Sequence, residues 1–205
     1  MKRVLLLRYA VIAAVVTLGA CNERARDGRP SGSVDGSTPG DTAPVQVGAG
    51  EEGALTDANI VALLDESNKA DSTASALAFK KATNPEVKNF ARLMMNEHHA
   101  LRAQGQQLAQ QLNLTPQPPA NHPLQALAQS EMAALQAAPK GPQFDRTYID
   151  QEIAAHKAVL DLAKKAHDEA DNEQLKKLIE QAQPVIERHL EVAEDLQKKL
   201  GGPTA

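Results

Sequence analysis

Aromatic and basic residues are both scarce in this chain. Aromatic residues make up 2% of the 205 residues, and tryptophan is absent. A surface that stacks nucleotide bases on aromatic rings is therefore not expected. Lysine and arginine number 22 against 26 aspartates and glutamates. This balance argues against a nucleic-acid partner, whose phosphates need a basic surface.

Cysteine occurs once, as Cys21. A single thiol cannot form an internal disulfide, so the folded part of the chain must be held together by packing. Hydrophobic residues reach 42%, which is enough for a core made of Ala, Leu, Val and Ile. Aliphatic stretches rich in Ala, Gln, Glu and Lys favour helices over strands, and the small side chains favour a narrow bundle.

The N-terminal residues have the pattern of an export signal. Three basic residues come first, residues 10–18 are an apolar run, and small residues precede Cys21. A basic start, a short apolar run and a small-residue exit are typical of a secretory signal peptide, and the run is too short for a stable membrane span. We therefore predict that residues 1–20 are a cleaved signal peptide.

The sequence Leu-Gly-Ala-Cys at residues 18–21 resembles the bacterial lipobox, whose cysteine is lipidated. The alternative is an ordinary signal peptide followed by an unmodified cysteine. Asn22 stands where lipoproteins retained at the inner membrane usually have Asp, so the resemblance implies sorting to the outer membrane. We expect an outer-membrane lipoprotein, anchored through acyl chains on Cys21 and facing the periplasm.

Residues 21–54 are predicted to be the lipidated cysteine and a disordered tether, because residues 22–54 hold seven glycines and three prolines without apolar periodicity. The folded domain is predicted at residues 55–201. The signal peptide holds three of the 22 basic residues and no acid, so the mature chain has 19 basic against 26 acidic side chains. This net charge of −7 argues against a basic patch on anionic lipid.

Four long helices are predicted in the all-α domain from apolar spacing, caps and prolines. They are helix A at 57–82, helix B at 85–113, helix C at 144–170 and helix D from a cap at Asp171 to Leu200. Short turns make A–B and C–D antiparallel pairs. Between B and C lie a Pro-rich stretch and a short helix at 124–138. This predicts a ferritin-like four-helix bundle with one long B–C crossover; an up-down-up-down bundle is the alternative.

Each predicted helix places a potential metal ligand near its middle, on or beside its apolar face. His98, His156 and His189 interrupt otherwise apolar stripes on helices B, C and D, and Asp71 has a compatible position on helix A. Three imidazoles and one carboxylate that converge in a bundle core would bind a transition metal such as Zn, Cu or Fe. Glu152, four residues before His156, is a further ligand or a partner that orients the imidazole.

A structural interpretation competes with the metal site. A histidine on a helix seam is often a core residue that is hydrogen-bonded to a carbonyl, and Pro184 would free such a carbonyl on helix D. His99, His122 and His167 are not expected at a central site. The sequence has no Ser-His-Asp or Cys-His arrangement, no Gly-rich phosphate loop and no CxxC. An enzyme is therefore not predicted, since it would need an open metal position and a second acid.

Three segments resemble a bacterial envelope family, the domain-of-unknown-function family 4142. They are FARLMMNEHHAL at 90–101, FDRTYIDQEIAAHKAVLDL at 144–162 and QPVIERHLEVAEDL at 183–196. The shared motifs are an acid-His pair, here Glu97-His98, an FD-x-x-Y opening of the third helix, a His twelve residues later, and a Pro followed by His on the fourth helix. The family usually has Glu on the first helix where this chain has Asp71.

The resemblance implies a ferritin-like fold and a place among predicted outer-membrane proteins. It does not imply a di-iron centre, because no Glu stands three residues before His98, His156 or His189. Two functions are predicted. The first is a lipid-anchored protein with one transition metal at Asp71 and the three histidines, supported by Glu97 and Glu152. The second is a structural or protein-interaction module without metal, whose partner is unidentified.

Lipidation is testable by replacing Cys21 with Ser. We expect the variant to move from the membrane to the soluble envelope fraction, because the anchor is the acyl chain itself. Labelled fatty acid should enter the wild-type chain and not the variant. Retention of the variant on membranes in high salt would contradict the anchor.

Overall fold

The computed structural model describes residues 54–202, and the predicted signal peptide, Cys21 and nearly all of the tether lie outside them. Within these residues the secondary structure is entirely helical, as predicted. The helices are α1 (Asp57–Lys81), α2 (Pro85–Gln111), α3 (Pro123–Ala137), α4 (Pro142–Glu169) and α5 (Glu173–Lys199). No helix in this part of the chain combines the length and the apolar character needed to cross a bilayer.

Contacts between helix ends give the direction of each helix. Lys81, at the end of α1, donates to the backbone oxygens of Leu135 and Gln136, at the end of α3. The backbone N–H of Leu55, just before α1, donates to the carboxylate of Glu169, at the end of α4. Therefore α2 and α4 run in the same direction, and α3 returns along the bundle between them. The four-helix bundle with one long crossover is confirmed, and the up-down-up-down alternative is wrong. The ferritin-like classification stays a prediction.

Two predicted helix starts differ from the structure. Asn172, and not Asp171, caps α5, because its side chain accepts from the N–H groups of Gln174 and Leu175. The N–H of Asp171 is instead bonded to the carboxylate of Asp57 and ties the turn to α1. The other start is that of α4, which begins at Pro142, two residues before the predicted start. Proline is tolerated there because the first helical N–H has no partner within the helix.

The apolar core is divided into two clusters at opposite ends of the bundle. One contains Phe90, Phe144 and Tyr148, and the other contains Ile60 and Leu175. Between them, at mid-height, lie nearly all of the buried ionisable side chains. They are Asp71, His98, Glu131, Glu152, His156 and His189. On α5, Ile179 and Ile186 are buried, whereas the adjacent Leu178 and Val185 are only half-buried.

The FD-x-x-Y motif closes the end of the bundle that holds the α1–α2 turn. Phe144 is fully buried, and Asp145 is 1% exposed. The Asp145 carboxylate accepts three hydrogen bonds of 2.7–2.8 Å from Thr83 N–H, Thr83 Oγ1 and Asn84 N–H. A buried carboxylate is stable when donors surround it in this way. Asp145 therefore holds the α1–α2 turn against the start of α4.

Replacing Asp145 with Ala should destabilise the protein by about 3 kcal/mol, because it leaves three donors without their charged acceptor. The measurement is denaturant unfolding followed by helical circular dichroism. Asp161→Ala on the same helix is the control, since the Asp161 side chain is 81% exposed and should change stability by less than about 0.5 kcal/mol. Equal effects of the two changes would contradict the role of Asp145.

Candidate metal centre

Three histidines from three helices meet at the middle of the bundle. The ring centroids are 5.5 Å apart for His98 and His156, 5.2 Å for His98 and His189, and 5.4 Å for His156 and His189. Their exposed fractions are 2%, 1% and 0% in chain order. Each ring offers a nitrogen within 4.8 Å of those of the other two. The structure therefore brings together the three histidines that interrupt the apolar stripes.

Each imidazole is held by the protein through one nitrogen. The bonds are His98 Nδ1 to Asn68 Oδ1 at 2.9 Å, His156 Nδ1 to the backbone oxygen of Glu152 at 2.8 Å, and His189 Nε2 to Glu97 Oε2 at 2.6 Å. All three partners are oxygens that accept hydrogen bonds, so each bonded nitrogen carries the proton. The amide orientation of Asn68 is supported independently, because its Nδ2 donates to the backbone oxygen of Leu64.

The other nitrogen of each ring carries a lone pair. These atoms, His98 Nε2, His156 Nε2 and His189 Nδ1, are buried and have no hydrogen-bond partner. Burial lowers the pKa of His98 and of His156 to about 4 and also lowers the pKa of His189. The rings are therefore neutral at pH 7, the form in which imidazole binds metals. Three unprotonated ligand atoms are gathered with no donor to satisfy them.

Asp71 lies beside this group in a different position from the one predicted. It is 4% exposed, and its Oδ2 is 3.5 Å from His98 Nδ1. It thus approaches the nitrogen of His98 that already carries a proton. Asp71, Glu152 and His156 form a second group, in which one ligand atom from each lies within 4.8 Å of the others. Asp71 is therefore adjacent to the three unpaired nitrogens without completing their set.

Both glutamates that were expected to support the histidines contact an imidazole of the centre. Glu97 binds His189 and Arg188 on α5, and not its neighbour His98. Glu152 holds His156 through its backbone carbonyl, while its Oε2 lies 3.5 Å from His156 Nδ1. Such outer partners fix which nitrogen of a ligating histidine remains free.

The other histidines lie apart from the centre. His99 is exposed on α2, His122 caps α3 through its ring Nδ1, and His167 binds Glu180 at 2.9 Å. His122 and His167 thus form hydrogen bonds at a helix end and at the surface. The expectation that these three residues stay outside a central site agrees with their positions.

Glu131 is a buried acid that the sequence analysis missed. It lies on the crossover helix α3, is 3% exposed, and lines a small void of about 20 Å³ together with Asp71. Burial and the nearby Asp71 raise the pKa of Glu131 to about 8. Burial, Glu131 and Asp71 also raise the pKa of Glu152 far above its usual range. The available signal was that Glu131 is the sole charged residue of α3.

An apolar cavity of about 250 Å³ leads toward the histidines from the far half of the bundle. Its walls come from α1, α2, α4 and α5 and include Gly105, and His98 and Asp71 also line it. Gly105 is buried, yet a Cβ built on it would meet nothing within 4 Å. The cavity therefore provides the access route that a buried metal site requires.

The raised pKa of Glu131 predicts that the stability of the metal-free protein falls as the pH rises. Glu131 ionises near 4.5 when unfolded and near 8 when folded. The stabilisation that comes from protonated Glu131 is fully present below pH 4.5 and is lost as the pH rises through 8. Relative to wild type, Glu131→Gln should gain about 1.4 kcal/mol per pH unit within this window.

Urea unfolding of the metal-free protein near pH 5 and near pH 8 measures this gain. Glu66→Gln is the matched control, because half-buried Glu66 also contacts α3, through Gln125 at 3.2 Å. A Glu131→Gln effect that is equal at both pH values would contradict the prediction.

Comparisons with known proteins agree with this fold. A family model described as "Domain of unknown function (DUF4142)" matches residues 42–196. No match is found among curated proteins. The crystal structure of a Streptomyces coelicolor protein, described as a secreted DUF305 protein, superposes with a TM-score of 0.61 at 15% identity, covering 72% of this chain and 94% of that one. At this identity the likeness shows a shared fold and nothing about chemistry.

Proposed function

We propose that this chain, which belongs to the DUF4142 family, holds one transition-metal ion in the centre of its bundle through His98, His156 and His189. The observation that carries the proposal is the set of three buried, unpartnered nitrogens, one from each ring. Each nitrogen has a lone pair because the opposite nitrogen donates to a protein oxygen. A cation is the partner that all three lone pairs can share.

The energetics favour a metal over a purely structural network. A buried acceptor without a partner costs about 1–3 kcal/mol, and here three such acceptors face one another. In a structural network each free nitrogen would meet a protein donor such as a hydroxyl or an amide. A metal bound at about 2.0–2.1 Å from each nitrogen would replace all of the missing hydrogen bonds at once.

The donor set indicates which metals fit. Neutral imidazoles suit copper, zinc and iron, and the affinity of such ligands rises from iron to copper, with zinc below copper. Thiolate ligands, which favour other centres, are absent from residues 54–202. Copper and zinc are therefore the best candidates among the three metals expected from the sequence.

The same proposal includes a location in the cell envelope. The lipobox-like residues 18–21 and the signal-like segment before them support an outer-membrane lipoprotein that faces the periplasm. The fold is shared with a protein described as secreted. A tether of 33 residues would let the domain reach about 30 Å from the lipid surface. The domain would then hold its metal close to the membrane without a membrane-spanning helix.

Metal binding to the folded state must raise its stability by mass action, by about 4 kcal/mol at a thousandfold excess over the dissociation constant. We expect Zn²⁺ or Cu²⁺ to raise the melting temperature of the metal-free protein at pH 7.5. His98→Ala, His156→Ala and His189→Ala should each abolish the response relative to their own metal-free baselines. His99→Ala, a neighbouring exposed histidine, should leave the response intact.

The pH at which the response disappears is a further readout. An unperturbed histidine would lose its lone pair below pH 6.5, but burial lowers the pKa of His98 and His156 to about 4. Proton competition in the folded state therefore begins near pH 4, and the response should persist at pH 5. A wild-type melting temperature that ignores saturating metal would favour the structural or protein-interaction module instead.

A further inference from the structure

We infer that the bundle core contains a second cation site, formed by the carboxylates of Asp71, Glu131 and Glu152 beside His156, which accepts a divalent cation that prefers oxygen ligands, such as Mn²⁺ or Fe²⁺. The inference deepens the proposed function, because His156 belongs to both groups. The three carboxylates themselves are not among the ligands proposed above.

Three different helices bring the acids together. Asp71 is on α1, Glu131 on the crossover helix α3, and Glu152 on α4, with exposed fractions of 4%, 3% and 0%. Asp71, Glu152 and His156 place ligand atoms within 4.8 Å of one another. Glu131 lies beside Asp71, since both line a space of about 20 Å³, and it is near enough to Glu152 to raise the pKa of that carboxyl.

Unsatisfied oxygens point to a ligand between these acids. Glu131 Oε1 and Glu152 Oε2 are fully buried and have no hydrogen-bond partner. The other oxygen of Glu152 accepts a long bond of 3.3 Å from Ser75 Oγ, whose own neighbour is the Tyr148 hydroxyl at 3.0 Å. The protein therefore positions one side of Glu152 and leaves the other side open to a bound species.

The ligand chemistry separates this site from the three-histidine site. Carboxylate oxygens suit harder cations such as Mn²⁺, whereas imidazoles suit copper and zinc. The three-histidine site would therefore bind copper or zinc, and the carboxylate site would bind the harder cation. His156 is the residue that the two groups share.

The test uses the full chain with Cys21→Ser, so that no detergent is needed. The metal-free protein receives one equivalent of Zn²⁺ and then excess Mn²⁺, free ions are removed, and both metals are counted per chain. We expect one zinc and one manganese in wild type. Glu131→Gln should keep zinc and weaken manganese binding at least about tenfold. His189→Ala should lose zinc and keep manganese, and Glu66→Gln should keep both.

The outcomes separate the two proposals. A wild type that keeps zinc and takes up no manganese would overturn the second site and leave the proposed function standing. Manganese that is retained and lost only in Glu131→Gln, with no zinc bound, would overturn the three-histidine site and support the second one. Glu131→Gln is expected to be more stable than wild type when metal-free at neutral pH, so its loss of manganese cannot be assigned to unfolding. Thermal unfolding of each metal-free variant checks this point.

Discussion

The whole architecture depends on keeping polar side chains buried at the middle of a bundle whose ends are apolar. Two apolar clusters, one around Phe144 and one around Leu175, lie on either side of the centre. At mid-height every helix contributes a polar side chain to the buried layer. Buried polar groups are costly unless they are paired, so the position and orientation of each side chain in this layer are tightly constrained.

Each histidine of this layer has a hydrogen-bond partner at its outer ring nitrogen and none at its inner ring nitrogen. Asn68, the carbonyl of Glu152 and Glu97 each engage the outer nitrogen of one histidine. The inner nitrogens and two carboxylate oxygens have no partner. Native cores leave few such atoms unsatisfied, and their concentration in one place is the observation on which the proposed metal sites rest. The outer bonds fix the orientation of the three rings.

The crossover helix is part of the centre as well as a connection. A long segment is needed to carry the chain from the end of α2 back to the start of α4, and α3 makes this return against α1 and α4. In doing so it brings Glu131 against Asp71, which the four long helices do not achieve alone. Asp145 closes the end of the bundle at which α4 starts, because it ties the α1–α2 turn to α4. The path that the chain takes between α2 and α4 therefore determines which acidic side chains lie in the buried centre.

The sequence by itself determined the helical class, the long crossover and the three histidines, because each leaves a local pattern. Apolar spacing marks the helices, prolines mark their limits, and His98, His156 and His189 stand out against apolar neighbours. Only the tertiary structure decided which nitrogen of each ring is free, since that depends on partners as distant as Glu97 for His189. The tertiary structure also showed that Asp71 lies beside Glu152 and that Glu131 is buried. A carboxylate on a helix has the same sequence pattern whether it faces solvent or the core, and only the packing of α3 against α1 and α4 distinguishes the two.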